Sequence, residues 1–352
     1  MNPIPFVSVI VPCRNEAGYL GPCLDSILES GYPPDRMEVL VADGMSEDGT
    51  RDLIRDYQRR DSRVRCINNP HRITPAALNR AIEASRGEVI ARVDAHSTVS
   101  RGYFSRAVEC LAATGAVNVG GVMRTVTRDR GLFAEPIRIA LSSRFGVGDS
   151  EFRTRSKSDC TEPQPVDTVF GGCWPRHVLA RVGGFNERLE RSQDIEFNLR
   201  LGRAGGKILM IAGMECEYYA RATVASFFRH NWINGAWAVL PFAYSPGFPV
   251  RWRHLVPLAF VVSLCIASVA RCPGLVLGPY LAISSIASAH AAWKLKRALL
   301  FPRLPIAFAA LHFAYGAGSL WGALQIPLIL LRNHLRNDVR NDTDSCAARP
   351  VL

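Results

Sequence analysis

The stretch Val89-Ile90-Ala91-Arg92-Val93-Asp94-Ala95-His96 decides how this chain is read. A short apolar run ends in an acidic residue, with a histidine two places on. Such a run reads as a buried strand. In an open α/β sheet the ligand sits beyond the carboxyl ends of the strands. Asp94 and His96 therefore stand where a divalent cation can be held against a phosphate.

Upstream, the chain alternates. Val7 to Val11 is β-branched and apolar, a strand by composition, followed by the polar turn Pro12-Cys13-Arg14-Asn15-Glu16. Tyr19, Leu20, Cys23, Leu24, Ile27 and Leu28 recur at helical spacing, and Gly31-Tyr32-Pro33-Pro34 stops that helix. A second strand, Met37 to Ala42, closes at Asp43-Gly44. Ser46 to Thr50 is rich in turn and cap residues, Leu53, Ile54 and Tyr57 mark a helix, Val64 to Ile67 a strand, and Pro75 to Ala84 a helix opened by Thr74. Alternation of this kind predicts a mostly parallel sheet flanked by helices, with the run up to His96 as its fourth strand. No G-x-G-x-x-G follows the first strand, which argues against a dinucleotide-binding domain. Asp43 sits where a carboxylate can meet a base or ribose, or simply belongs to an Asp-Gly turn.

At 352 residues the chain has room for more than one domain. Its net charge of +11 is scattered through the first 220 residues and then flanks apolar segments. No basic tract carries interleaved aromatics, so nucleic acid is a poor partner. An anionic membrane surface and phosphorylated substrates fit better. The ten cysteines form no C-x-x-C pair, which suits reduced thiols rather than zinc or a disulfide framework. No charged start is followed by an apolar core, so no cleaved signal is expected.

Downstream, Arg138, Arg144, Arg153, Arg155 and Lys157 lie in a segment with few structural signals. It reads as a solvated loop, or as a mobile segment that closes over phosphates. Val166 to Phe170 resumes a strand. Gly171-Gly172-Cys173-Trp174 follows, where glycine lets backbone approach a ligand closely and Trp174 either faces that ligand or fills the core. Asp194 lies near a helix start, where its residue type reads as a helix cap.

Four stretches in series, VSVIVPCRNE, VLVADGMSEDGT, NPHRITPAALNRAIEASRGEVIARVDAH and GGFNERLERSQDIEFNLRL, resemble the family-two glycosyltransferases of GT-A fold. Within that family they are most similar to the branch containing the succinoglycan-biosynthesis glucosyltransferase. The likeness covers most of residues 5 to 240. It implies that Asp43 binds the nucleotide base, usually uracil, with Pro12, Arg14 and Glu16 beside it, and that Arg72 approaches the diphosphate. It further implies that Asp94 and His96 hold Mn²⁺ or Mg²⁺ in place of the usual D-x-D pair. Imidazole suits Mn²⁺ better than Mg²⁺. Asp194 corresponds to the general base, Glu196 being its rival, and Gly172, Trp174 and Trp232 would face the acceptor. The Q-x-x-R-W of processive synthases is absent, since Arg229-His230-Asn231-Trp232 stands there. One sugar added per encounter is therefore expected.

The organisation expected is a cytosolic catalytic domain over 1–220, an interfacial segment over 221–250, a membrane region over 251–331 and a polar tail over 332–352. Apolar segments at 254–270, 273–293 and 305–331 compare with the ~20 residues a span needs. The third is long, with Gly316 and Gly318 able to break it, and is a crossing or a re-entrant segment. Cations at Arg251, Arg253, Lys294, Lys296, Arg297 and Arg303 place those ends on the cytoplasmic side of an inner membrane. The expected activity is metal-dependent, inverting transfer of a hexose from a UDP-sugar to a lipid-linked saccharide or lipid in exopolysaccharide or cell-surface glycan synthesis, beside other glycan-assembly proteins. The alternatives are a polyprenyl-phosphate glycosyltransferase and a non-catalytic membrane scaffold that keeps the fold.

Overall fold

A computed structural model describes residues 4–128, 131–155, 162–220, 223–245 and 250–347, with side chains as far as Arg332. Lys157 lies outside these residues. The strands are β1 (Val7–Cys13), β2 (Met37–Asp43), β3 (Val64–Asn68), β4 (Val89–Arg92), β5 (Ser97–Val99), β6 (Asn118–Val126), β7 (Gln164–Pro165), β8 (Phe170–Pro175) and β9 (Ile208–Tyr219). They form one sheet of order β3-β2-β1-β4-β8-β6-β9-β5, with β7 beside β9. The first four strands are parallel, β8 runs antiparallel to both β4 and β6, and β6 and β9 are parallel.

Period-2 alternation explains the layers. Val7, Val9, Val11, Val39, Val41, Val89 and Ala91 face one core, together with Leu20, Cys23, Leu24 and Ile27 of α1 (Ala17–Leu28). Ile10, Leu40, Ala42 and Ile90 face the other. Two further helices connect the parallel strands, α2 (Thr50–Arg60) and α3 (Thr74–Ala84). Ala77, Leu78 and Ala81 of α3 join the second core. Next comes α4 (Tyr103–Thr114), whose Tyr103, Phe104 and Ala107 return to the first.

The fourth strand is shorter than the sequence predicts. Val93 N–H still donates to Ile10 O at 3.1 Å, but Ser97 N–H turns back onto Asp94 O at 2.9 Å. Asp94-Ala95-His96 is therefore a turn beyond the sheet edge, and the chain restarts as β5 antiparallel to β9. The segment expected to be a loop also differs. It holds three short helices, α5 (Ala134–Ser142), α6 (Arg144–Val147) and α7 (Glu151–Thr154). Ile137, Ile139 and Ala140 of α5 pack against apolar residues of the C-terminal helices, which a stretch of scattered arginines does not advertise.

After β8 come α8 (Arg176–Val182) and α9 (Gln193–Arg203), then α10 (Val224–Val239), α11 (Val256–Val269), α12 (Gly274–Lys294) and α13 (Leu304–Ala347). Gly316 and Gly318 do not break α13. They sit where backbones touch: a Cβ on Gly318 would overlap Trp232 O of α10, and one on Gly316 would overlap Pro257 O of α11. Gly235 of α10 abuts Tyr315 O in the same way. Small residues let helices approach this closely. Arg251 and Arg253, which open the helical region, also reach back to Asp167, at 3.1 and 2.6 Å. Three stretches, Trp252–Val269, Gly274–Lys294 and Ala298–Arg332, are long and apolar enough to cross a membrane.

Candidate active site

Strand order reverses between β1 and β4, since β2 and β3 lie on one side of β1 and β4 on the other. A crevice opens beyond the carboxyl ends at such a point. The turn after β1 and the turn after β4 meet there. His96 Nδ1 lies 3.1 Å from Glu16 Oε1, and the His96 ring meets the Tyr218 ring edge-on with centroids 5.1 Å apart. A carboxylate on Nδ1 fixes the tautomer that leaves Nε2 as the free acceptor.

Asp94 is held from within the strand. Arg92 donates Nε to Asp94 Oδ1 at 2.8 Å and Nη2 to Oδ2 at 3.3 Å. Both are largely buried, with side-chain exposures of 7% and 13%. Burial opposes the charged carboxylate, but the Arg92 guanidinium beside it outweighs that and holds the Asp94 carboxyl below its usual range. Burial likewise opposes the Arg92 cation, while Asp94 and Asp194 together raise it. Arg92 thus sits in the field of both aspartates. Its Nη1 is buried with no partner.

Asp194 is the second residue of α9, half-buried, and its Oδ1 accepts from Ile195 N–H at 2.9 Å. It is not the helix cap, for Ser192 holds that place. Glu196, the rival base, has among the described residues a partner that Asp194 lacks. It is buried and paired to Arg200 at 2.7 and 3.0 Å, and Arg200 also donates to the carbonyls of Val182 and Gly184. That network pins α9 to the turn before it.

Other residues from the sequence fall in different places. Asp43 is fully buried, accepting from Ser46 N–H at 3.2 Å and Ser46 Oγ at 2.5 Å, with Arg51 Nη1 at 3.5 Å. It braces the turn that also holds Asn15, whose N–H donates to Ser46 Oγ at 2.8 Å. Contact between Asp43 and a base requires Ser46 or Arg51 to shift. Arg14 packs against Gly44, so the two turns touch, and Pro12 lies within β1. Arg72 is exposed at the β3–α3 turn in left-handed backbone, φ 60°.

Two acceptor assignments are overturned, and a third is displaced. Trp174 is 1% exposed and packs on Phe185 and Phe197, so it is core and presents no face to a sugar. The glycine pair before it admits protein rather than ligand. A Cβ on Gly171 would stand 2.6 Å from Arg92 O, and one on Gly172 would stand 2.7 Å from Asn118 Oδ1. Trp232 lies on the side of α10 that meets α13. The opposite side reaches α9, where Ser192 Oγ donates to Trp237 O at 2.9 Å and Arg191 to Asn234 Oδ1 at 2.6 Å. Trp237, stacked on Tyr244, is the aromatic beside the Asp194 helix start.

Arg153 of α7 was present in the sequence only as one cation among several. Its guanidinium lies 5.7 Å from the Tyr218 ring centroid and 5.5 Å from that of Phe152. Its Nη1 is buried without a partner. Burial pushes it below its ordinary value, with Tyr218 and Asp194 acting the other way. Two guanidinium groups with orphaned donors therefore lie in the field of Asp194. Nothing in local spacing joins residues 92, 153 and 194.

The fold is shared with the mannosyltransferase PcManGT from Pyrobaculum calidifontis, solved in complex with GDP-Man and Mn²⁺ (TM-score 0.59, 21% identity, 91% of this chain and 88% of that one). A mixed, mostly parallel sheet of this kind is the GT-A fold. A family model described as glycosyl transferase family 2 matches residues 8–180. The succinoglycan biosynthesis protein ExoA of Rhizobium meliloti (strain 1021) is 31% identical over 73% of this chain and 83% of its own length. The chain belongs to glycosyl transferase family 2 and is related to enzymes of glycan biosynthesis. A further relative, at 25% identity over 66% of this chain and 72% of its own, is the dolichyl N-acetyl-alpha-D-glucosaminyl phosphate 3-beta-D-2,3-diacetamido-2,3-dideoxy-beta-D-glucuronosyltransferase of Methanococcus voltae.

Proposed function

We propose that this enzyme moves a hexose from a UDP-sugar to a saccharide carried on a membrane lipid, with inversion at the anomeric carbon. The observation that carries the reading is the pair of aspartates, Asp94 and Asp194, both in the field of the buried Arg92 at the switch point of the sheet. In a single displacement the acceptor oxygen attacks the anomeric carbon as the bond to the diphosphate breaks. Asp194 takes the acceptor proton. Negative charge gathers on the departing nucleoside diphosphate, and exposed Arg72 is read as the cation that meets it.

The donor set fits a cation shared with a diphosphate. Among the described residues no three metal-ligating side chains cluster, so a cage made by protein alone is absent. A Mg²⁺- or Mn²⁺-type site needs only one or two protein ligands when phosphates complete the shell. Asp94, held ionised, and the free Nε2 of His96 are those ligands in this reading. The cation would supply positive charge to the leaving diphosphate. Glu16 orients His96, Arg92 orients Asp94, and Asp43 braces the turn against which a base would rest.

The three apolar helices anchor the enzyme in the cytoplasmic membrane, with the catalytic part on the cytosolic side. Large apolar side chains such as Ile266, Leu275, Ile286, Leu324 and Leu328 are exposed along them, which suits lipid contact. A polyprenyl phosphate is the second acceptor in play. It is favoured by the unpartnered Nη1 atoms of Arg92 and Arg153, since guanidinium binds phosphate well. Labelled nucleotide sugars offered to membranes containing the protein, followed by lipid extraction, test the reading. Label from a UDP-hexose in the lipid fraction is expected. Failure of every UDP-sugar, together with no heat of binding for UDP and Mn²⁺, would return the chain to a non-catalytic scaffold. Near-full activity in Asp194→Asn would move the acceptor to a phosphate, which needs no strong base.

A further inference from the structure

We propose that the connection between α12 and α13 is a binding site for the phosphate headgroup of an anionic phospholipid. The inference rests on reading α12 and α13 as membrane spans. An open cavity of about 830 Å³ lies at this corner. Three cations line it, Lys294, Lys296 and Arg297, with the rings of Trp293 and Phe301 and small alanines between them.

Local backbone chemistry brings the cations together. The last turn of α12 closes with Leu295 N–H on Ala291 O at 3.1 Å, Lys296 N–H on Trp293 O at 3.0 Å and Arg297 N–H on Ala292 O at 2.9 Å. Lys296 takes left-handed backbone, φ 54°, to make this reversal. The chain folds back over its own helix end, so cations at successive turns of sequence converge on one cavity. A helix carboxyl end favours positive charge, which stabilises the arrangement without any ligand. That effect accounts for one cation near the axis; it gives no reason for a cavity lined by three.

The charge is poorly compensated by protein. No acidic residue lines the cavity. The described carboxylate nearest in the ion-pair network is Glu135 of α5, 3.9 Å from Arg297. Glu135 is already engaged with Arg138 at 2.7 and 2.9 Å. The site therefore calls for an anion, and the geometry says which kind. Trp293 is 78% exposed beside the cations, and Leu299 is 75% exposed on the same connection. A tryptophan next to lysine and arginine at the end of an apolar helix marks headgroup level in a bilayer, and basic pockets between spans on the cytoplasmic side take anionic headgroups. A free phosphate has no use for an apolar rim; a phospholipid has its acyl chains to lay along it. The corner is also tied to the catalytic part, because Ala292 and Leu300 share a core with Ile137, Ile139 and Ala140 of α5. An occupied site would seat that core against the membrane surface.

The test uses the full chain reconstituted in phosphatidylcholine vesicles with and without phosphatidylglycerol, and native mass spectrometry of the protein extracted from them. Phosphatidylglycerol should be retained in preference to phosphatidylcholine. The triple variant Lys294→Gln, Lys296→Gln, Arg297→Gln should lose retained phosphatidylglycerol by about tenfold or more. Its side chains are exposed, so it should fold and still partition into membranes. Equal retention by the variant, equal retention of phosphatidylcholine, or displacement of the lipid by millimolar inorganic phosphate would overturn the proposal. Wild-type protein that washes off membranes at alkaline pH would overturn the span reading itself. A protein that stays in the membrane without lipid preference defeats only the headgroup site.

Discussion

Asp94→Ala separates the two jobs given to this carboxylate. Arg92 is 7% exposed, and Asp94 accepts from both its Nε and its Nη2. Truncation leaves these donors without acceptors beside an Nη1 that already has none. Breaking a buried pair by removing one partner costs about 3–5 kcal/mol. For a chain of 352 residues that is a fall in unfolding temperature of roughly 4–7 °C. Turnover should vanish as well. The double variant Arg92→Leu, Asp94→Ala removes both charges and should recover most of the lost stability without recovering turnover. Unfolding followed by tryptophan fluorescence at one fixed scan rate, alongside transfer of labelled sugar, measures both quantities. An alanine variant as stable as wild type would show that the pair carries no structural weight. A double variant that regains turnover would reduce Asp94 to a partner for Arg92 and refute its place at the chemistry.

Asp194→Asn should lower transfer to a hydroxyl acceptor by about 10²–10⁴-fold, while Glu196→Gln should lower stability but leave turnover per folded molecule close to wild type. Parallel kinetics and unfolding curves distinguish the two. His96→Asp should shift the metal preference from Mn²⁺ towards Mg²⁺, and Glu16→Gln should weaken Mn²⁺ affinity by about 10–100-fold, both readable by titration calorimetry in the presence of UDP. The Asp94 carboxyl is held below its ordinary value of 3.8. Its stabilisation is fully present above about pH 4 and is lost only as pH falls through the lowered value. The stability gap between wild type and Asp94→Asn should therefore be constant near neutrality and shrink in that acid window. Gly318→Leu should destabilise the protein by forcing α13 away from Trp232 of α10, with Mn²⁺ and UDP affinity unchanged in the molecules that remain folded.

Sequence reading reached the sheet because its signal is local. Val7 to Val11 and Met37 to Ala42 announce buried strands by composition, and the helices between them announce parallel order. It singled out Asp94 from the end of its strand, and gave Asp94 and Asp194 their proposed roles through resemblance. What it missed depends on distance in sequence. Arg92 looked like one more residue of a strand, and only the fold shows its guanidinium in the field of Asp194. Trp174 could not be assigned, because a tryptophan after two glycines looks the same in a core as in a sugar site; Phe185 and Phe197 decide it. Gly316 and Gly318 read as helix breakers because their partners lie some 60 to 90 residues upstream, on α10 and α11. Arg251 and Arg253 read as a topology signal and also serve as ties to Asp167, a dual use that composition cannot separate.

The backbone contact between α10 and α13 has a mechanical consequence. Helices that touch through glycine have little side-chain layer between them, so α13 and α10 are closely coupled. Trp237 and Asn234 then carry that coupling to Ser192 and Arg191 at the start of α9. If α13 stands in a bilayer, the reacting centre stands at a set height above it. The enzyme would measure its acceptor as a ruler does, admitting those whose nucleophile reaches that height and passing over shorter or longer ones whatever their sugars.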